Sequence, residues 1–211
     1  MIVGTSEEIV STQQNLHDDS DRSSVALLLI DVINDLEFEG GERLASQALR
    51  IVQNIATLKR LAKSKKIPII YANDNFGKWQ SDFRKLVDHC VAEPVRGRPV
   101  AQQLLPESDD YFVLKPKLSA FYSTTLDLLL KYLRVRTLIL TGFAGDMCIL
   151  LTAGDAHMRD YRLIVPADCV VSEDPGSNQC ALELMNRNLD VDVSVSTKID
   201  LNSLIGQHIQ Q

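Results

Sequence analysis

Cys148 stands just past a strand-like run and a glycine-containing turn, Leu138-Ile-Leu-Thr-Gly-Phe-Ala-Gly-Asp-Met-Cys148, at the point where a helix should begin. A helix start presents free N–H groups and the positive end of the helix dipole. Both favour a thiolate, the nucleophilic form of cysteine. The same N–H groups can hold the oxyanion formed when sulfur attacks a carbonyl. Two more residues end hydrophobic runs: Asp31 after Val25-Ala-Leu-Leu-Leu-Ile30, and Lys115 after Tyr111-Phe-Val-Leu114. In a parallel sheet all three arrive at the carboxyl edge, where such sheets bind ligands. Cys148 is the candidate nucleophile. Asp31 is placed to take the thiol proton and return it to a leaving amine. Lys115 is placed to lower the thiol pKa and keep Asp31 ionised by charge pairing. The backbone N–H groups of Ala144 and Cys148 are the candidate oxyanion donors. Taken singly, these side chains read as a small buried hydrophobe, a turn cap and a solvated charge. Their convergence on one edge is what favours chemistry.

The elements that must carry these residues follow from hydrophobic periodicity. Leu44, Ala48, Ile51, Ile55, Leu58 and Leu61 recur at helical spacing. Strands are predicted over 25–31, 68–73, 111–114, 137–141, 162–165 and 191–195. Helices are predicted over 82–92, 125–133, 147–159 and 175–186. The stretch 93–106 contains three prolines and a glycine and reads as a long surface connection. Strands alternating with helices predict an α/β fold: three layers, α/β/α, around a mainly parallel, Rossmann-like central sheet in a single domain. Residues 1–23 are polar and read as an N-terminal arm, with the folded domain over 24–211.

Composition narrows the function classes. The chain has 211 residues, 45% of them apolar, enough for one sizeable core. Its net charge of −6 argues against a nucleic-acid surface. The longest apolar runs are strand-length, so no membrane partner is expected, and the first 24 residues lack a secretory leader pattern. The cysteines at 90, 148, 169 and 180 match neither a disulfide framework nor paired zinc spacing. Reduced thiols in a cytoplasmic protein are expected. Histidines stand at 17, 89, 157 and 208. Nine residues at roughly 100° each put His157 on the helix face opposite Cys148. Thr152 and Asp155 fall near the Cys148 face and are candidate supports. So few histidines argue against a catalytic metal, and no metal or cofactor is expected. The glycines do not form the Gly-x-Gly-x-x-Gly turn of a dinucleotide-binding reductase.

The pattern resembles the isochorismatase-like cysteine hydrolase superfamily, which includes nicotinamidases, carbamoylsarcosine amidohydrolases, ureidoacrylate and biuret hydrolases, and isochorismatases. The resemblance spans about residues 25 to 197. It rests on Leu28-Leu-Ile-Asp-Val-Ile-Asn-Asp35, Lys115-Pro-Lys-Leu-Ser-Ala-Phe121 and Thr141-Gly-Phe-Ala-Gly-Asp-Met-Cys148, supported by Thr152-Ala-Gly-Asp-Ala156 and Val165-Pro-Ala-Asp168. It implies an Asp31, Lys115, Cys148 triad, with Lys117 as competitor for the lysine role; spacing to the Ser-Ala-Phe segment selects Lys115. It also implies a cis peptide between Phe143 and Ala144. Nicotinamidases place Phe where Leu36 stands and hold a metal with Asp and His after the second strand. Here that region reads Asn73-Asp-Asn-Phe-Gly-Lys-Trp79, without histidine. True isochorismatases can lack the cysteine, so its presence favours C–N cleavage. Leu36, Phe76, Trp79 and Phe121 are the candidate pocket residues for a small planar substrate. The resemblance therefore implies hydrolysis of a small amide, carbamoyl or ureido compound through a thioester, in a homo-oligomer. The alternative is a catalytically silent relative that binds small molecules or acts in assembly.

Overall fold

The structure is a computed structural model and describes residues 23–76, 80 and 82–206. The expected arm lies almost wholly outside these residues. Strand β1 (Val25–Ile30) is buried along its whole length, as a run of apolar residues covered on both faces must be. It is the centre of a six-stranded sheet with β2 (Ile69–Asp74), β3 (Tyr111–Lys115), β4 (Thr137–Phe143), β5 (Arg162–Ile164) and β6 (Val170–Val171). The order is β3-β2-β1-β4-β5, every pairing is parallel, and β6 joins the end of β4 through Gly142↔Val170 and Phe143↔Val171. The chain winds outward from β1 to β3, then returns to place β4 on the other side of β1. The switch point between β1 and β4 is where a doubly wound sheet opens a crevice.

Helices cover both faces, giving the expected three layers. On one face lie α1 (Gly41–Ser64), α2 (Phe83–Ala92) and α3 (Arg98–Gln103), with Leu44, Ile55, Phe83, Val100 and Leu104 in the core. The other face holds α4 (Leu126–Tyr132), α5 (Leu150–His157) and α6 (Pro175–Leu189), with Leu130, Ala153, Ala156, Leu182 and Met185 inside. The last helix, α7 (Leu201–Gly206), packs Leu201 and Leu204 on the α1 side. Among the described residues no helix is long and apolar enough to cross a membrane.

Four local expectations need correcting. The proline-rich stretch 93–106 contains α3, whose first turn takes Pro99 at no hydrogen-bonding cost. Leu104 after it is fully buried and its carbonyl accepts from Tyr71 Oη at 2.8 Å. Leu61, counted into the apolar stripe of α1, is exposed, and Ala62 is buried in its place. Residues 191–195 make only a single bridge, Ile164↔Asp192. There the Asp192 carboxylate accepts from Ser194 N, a local turn that competes with the ladder. The predicted helix over 147–159 starts instead as one wide π-helical turn, Gly145–Ile149, before the regular α5.

Gly142 shows how tightly the edge of β4 is packed. Its φ is +113°, and a Cβ there would lie 2.1 Å from the backbone oxygen of Ile30 on β1. Gly142→Ala is expected to cost at least ~2 kcal/mol, read as a lowered urea midpoint with unchanged slope.

Candidate active site

Asp31 directly follows β1 and has a left-handed backbone, φ 56°. Strain of this kind in a non-glycine residue persists where the surroundings enforce it, often at functional sites. Its N–H donates to Ala72 O at 2.9 Å. Its carboxylate is held from two sides: Asp74 N donates to Oδ1 at 2.8 Å, and Lys115 Nζ stands 2.8 Å from Oδ2. Lys115, the last residue of β3, is fully buried. Its Nζ also lies 3.5 Å from Cys148 Sγ and 3.7 Å from Asp74 Oδ2, and donates to Lys117 O at 3.4 Å. Lys117 itself is exposed and takes no part through its side chain. One ammonium thus joins three residues from three separate strand ends.

Cys148 sits inside the wide turn, 7% exposed. The Phe143–Ala144 peptide bond entering the turn is cis. Within the turn, Met147 N and Ile149 N donate to Ala144 O, and Asp146 N donates to Ser172 Oγ. Farther along, Thr152 Oγ1 accepts from Ala120 N at 3.0 Å, and Asp155 accepts from Ser119 Oγ. These two side chains tie α5 to the loop that follows Lys115. His157 is exposed on the last turn of α5.

The protonation states differ from expectation. Burial pushes the Cys148 thiol up to about 12; the charge of Asp31 adds to this, and Lys115 opposes it without prevailing. The predicted thiolate-stabilising effect of Lys115 and the helix start is therefore outweighed by desolvation. Burial also raises Asp31 above the usual carboxylate range, against the pull of the Lys115 charge and hydrogen bond. For Lys115, burial works downward, but the charge of Asp31, its hydrogen bond to the lysine and the charge of Asp74 carry the pKa up. The resting site is a neutral thiol beside a carboxylate of raised basicity and a fixed cation.

The expected pocket residues separate. Leu36 is fully buried against α1, in a turn fixed by Leu36 N donating to Asn34 Oδ1 and by Arg96 donating to Leu36 O. Phe121 is 5% exposed, packed with Tyr161 at 6.0 Å and under the Arg159 guanidinium at 4.8 Å. Neither offers surface to a ligand, because each fills core on its own face of the sheet. Phe76 is 42% exposed, two residues past Asp74. Trp79 lies outside the described residues. Among the described residues no cluster of three or more His, Cys, Asp or Glu is arranged to hold a metal ion. Sequence reasoning missed Asp74, one residue past the strand predicted over 68–73, and Ser172. The signal for Asp74 was its place as the last residue of an edge-directed strand, the same signal that picked out Lys115.

Asp31, Lys115 and Cys148 thus meet at the switch point of a parallel α/β sheet. The isochorismatase-domain family profile matches residues 25–195, and the chain belongs to that family. It is 41% identical over 178 residues to the uncharacterized isochorismatase family protein YaaI of Bacillus subtilis, covering 84% of this chain and 97% of that protein. It is 30% identical over 162 residues to a probable inactive nicotinamidase of Arabidopsis thaliana, covering 72% and 83% of the two chains. Among solved structures, the N-carbamoylsarcosine amidase of Thermoplasma acidophilum superposes with a TM-score of 0.64 at 26% identity, covering 84% of this chain and 99% of that one.

Proposed function

We propose that the protein hydrolyses a C–N bond of a small amide, carbamoyl or ureido substrate, with Cys148 as nucleophile. The observation that carries this reading is Lys115 Nζ standing 2.8 Å from Asp31 and 3.5 Å from Cys148 Sγ in a buried site. The similarity to an N-carbamoylsarcosine amidase supports the bond type. Because the thiol rests protonated, attack is coupled to proton transfer: Sγ bonds to the carbonyl carbon as its proton passes to Asp31. The N–H groups of Ala144 and Cys148 hold the oxyanion. Asp31 then gives the proton to the departing nitrogen, the C–N bond breaks, and a thioester remains. Water, losing a proton to Asp31, attacks the thioester; the acid leaves and the thiol is restored. While Asp31 is protonated, Lys115 keeps Asp74 as a nearby counter-charge.

The test is a panel of small amides and ureido compounds, scored by ammonia release and by an acyl adduct on Cys148 after acid quenching. The expected result is turnover with an adduct on the peptide carrying Cys148. The pH profile adds a sign. Asp31 must be ionised to accept the thiol proton, and its pKa is raised. The acid limb of kcat/KM should therefore lie above the ordinary carboxylate value of about 4. No rise is expected between pH 7 and 9, since the thiol titrates near 12. A limb at or below pH 4 would remove Asp31 from this role. The second reading, a silent binding module, draws on the relative named a probable inactive nicotinamidase; ligand binding without ammonia would select it.

A further inference from the structure

The turn that carries the proposed oxyanion donors is braced from outside by a chain of hydrogen bonds. Asp146 N donates to Ser172 Oγ at 3.0 Å. The Ser172 hydroxyl donates to Asn178 Oδ1 at 3.2 Å. Asn178 Nδ2 in turn donates to Val170 O at 3.2 Å. Ser172 is 1% exposed, so water does not readily replace it. The chain ends on β6, the short strand paired with Gly142 and Phe143, which lead directly into the turn. Asn178 also presses on the turn itself. A Cβ on Gly145 would lie 2.1 Å from Asn178 Oδ1 and 2.7 Å from Val170 Cγ1. The Gly145 backbone is therefore seated directly against the amide. Asn178 is held in place in the first turn of α6, where Asp174 caps the helix by accepting from Ser177 N and the Asn178 N–H donates to Asp174 O.

We propose that Ser172 and Asn178 are positioning residues for the oxyanion site. They fix where the Ala144 and Cys148 N–H groups lie without touching the substrate. By taking the Asp146 N–H, Ser172 also commits that donor elsewhere, so the turn presents a defined pair rather than a row of N–H groups. Small displacements of such donors have large effects on acyl transfer. This inference rests on the hydrolase reading given above.

The test compares two reactions of the same sulfur. Amide hydrolysis passes through an oxyanion; alkylation by iodoacetamide is a displacement at carbon that forms none. Ser172→Ala and Asn178→Ala are each expected to lower kcat about 10- to 100-fold with KM nearly unchanged. Alkylation of Cys148, located by mass spectrometry because the exposed Cys180 also reacts, should stay within about twofold of the wild type in both variants. Ser172→Thr, which keeps the hydroxyl, should restore much of kcat. The inference is overturned if kcat holds in both alanine variants. It is equally overturned if alkylation falls in step with kcat, since that would report general disruption of the cysteine's surroundings. Absence of turnover by the wild type on every amide in the panel would instead overturn the hydrolase reading on which it stands.

Discussion

Cys148→Ser is expected to reduce turnover about 10⁴- to 10⁶-fold while leaving the fold in place. The reason lies in the geometry around Sγ. In the proposed mechanism Lys115 Nζ, 3.5 Å from Sγ, and the buried Asp31 carboxylate serve a sulfur that gives up its proton as it attacks. A serine hydroxyl in the same position would have to give up a much more tightly held proton to the same carboxylate. Asp31 can accept from a thiol but is a poor base for an alcohol. Ammonia release on the best substrate of the panel, with circular dichroism as the control, measures both parts. Retention of more than about a tenth of wild-type turnover would exclude Cys148 as nucleophile.

Lys115→Met is expected to damage both activity and stability. The lysine side chain is fully buried and its Asp31 partner nearly so. Removing one member of a buried pair leaves an uncompensated charge, at a cost of about 3–5 kcal/mol. Asp31 and Asp74 would then face each other without a cation, and Asp31 would titrate higher still. Folding would favour its protonated form, so the deficit should be largest near neutral pH and shrink as the pH falls through the raised pKa. Turnover should fall about 10³-fold or more, because a protonated Asp31 cannot take the thiol proton. The decisive comparison is the double variant Asp31→Leu with Lys115→Met. It should recover much of the lost stability, measured by urea unfolding, and none of the activity. If Lys115→Met alone unfolds at the wild-type midpoint, the pair is not the buried ionic unit described.

Asp31, Lys115 and Cys148 were legible in the sequence for a physical reason. Each stands at or just past the end of a hydrophobic run, and parallel topology delivers all such ends to one edge. Their grouping needs only strand direction, not side-chain packing. The protonation of the site was not legible in the same way. Helix position and the nearby lysine argue for a thiolate, but the burial that outweighs them is a tertiary quantity. Ser172 and Asn178 were invisible for a related reason. Ser172 lies 26 residues beyond Asp146, whose N–H it accepts, and Asn178 lies farther still, with no local pattern linking either to the turn. Val170–Val171 is too short for any alternation to register. Leu36 and Phe121 show the opposite failure. An apolar residue near a functional motif carries no mark to tell pocket wall from core, and here both proved to be core.

The wide turn at Gly145–Ile149 separates two angular settings that a regular helix would lock together. In an unbroken α-helix, rotating Cys148 toward the sheet edge would rotate Thr152 and Asp155 by the same amount and break their ties to Ala120 and Ser119. The π geometry inserts slack between them, as one-residue insertions in helices commonly do at functional sites. The bearing of Cys148 and the docking of the helix behind it are thus independently adjustable. On an evolutionary scale, such a joint lets a lineage re-aim the cysteine by changing a five-residue segment, while the scaffold that supports it stays as it was.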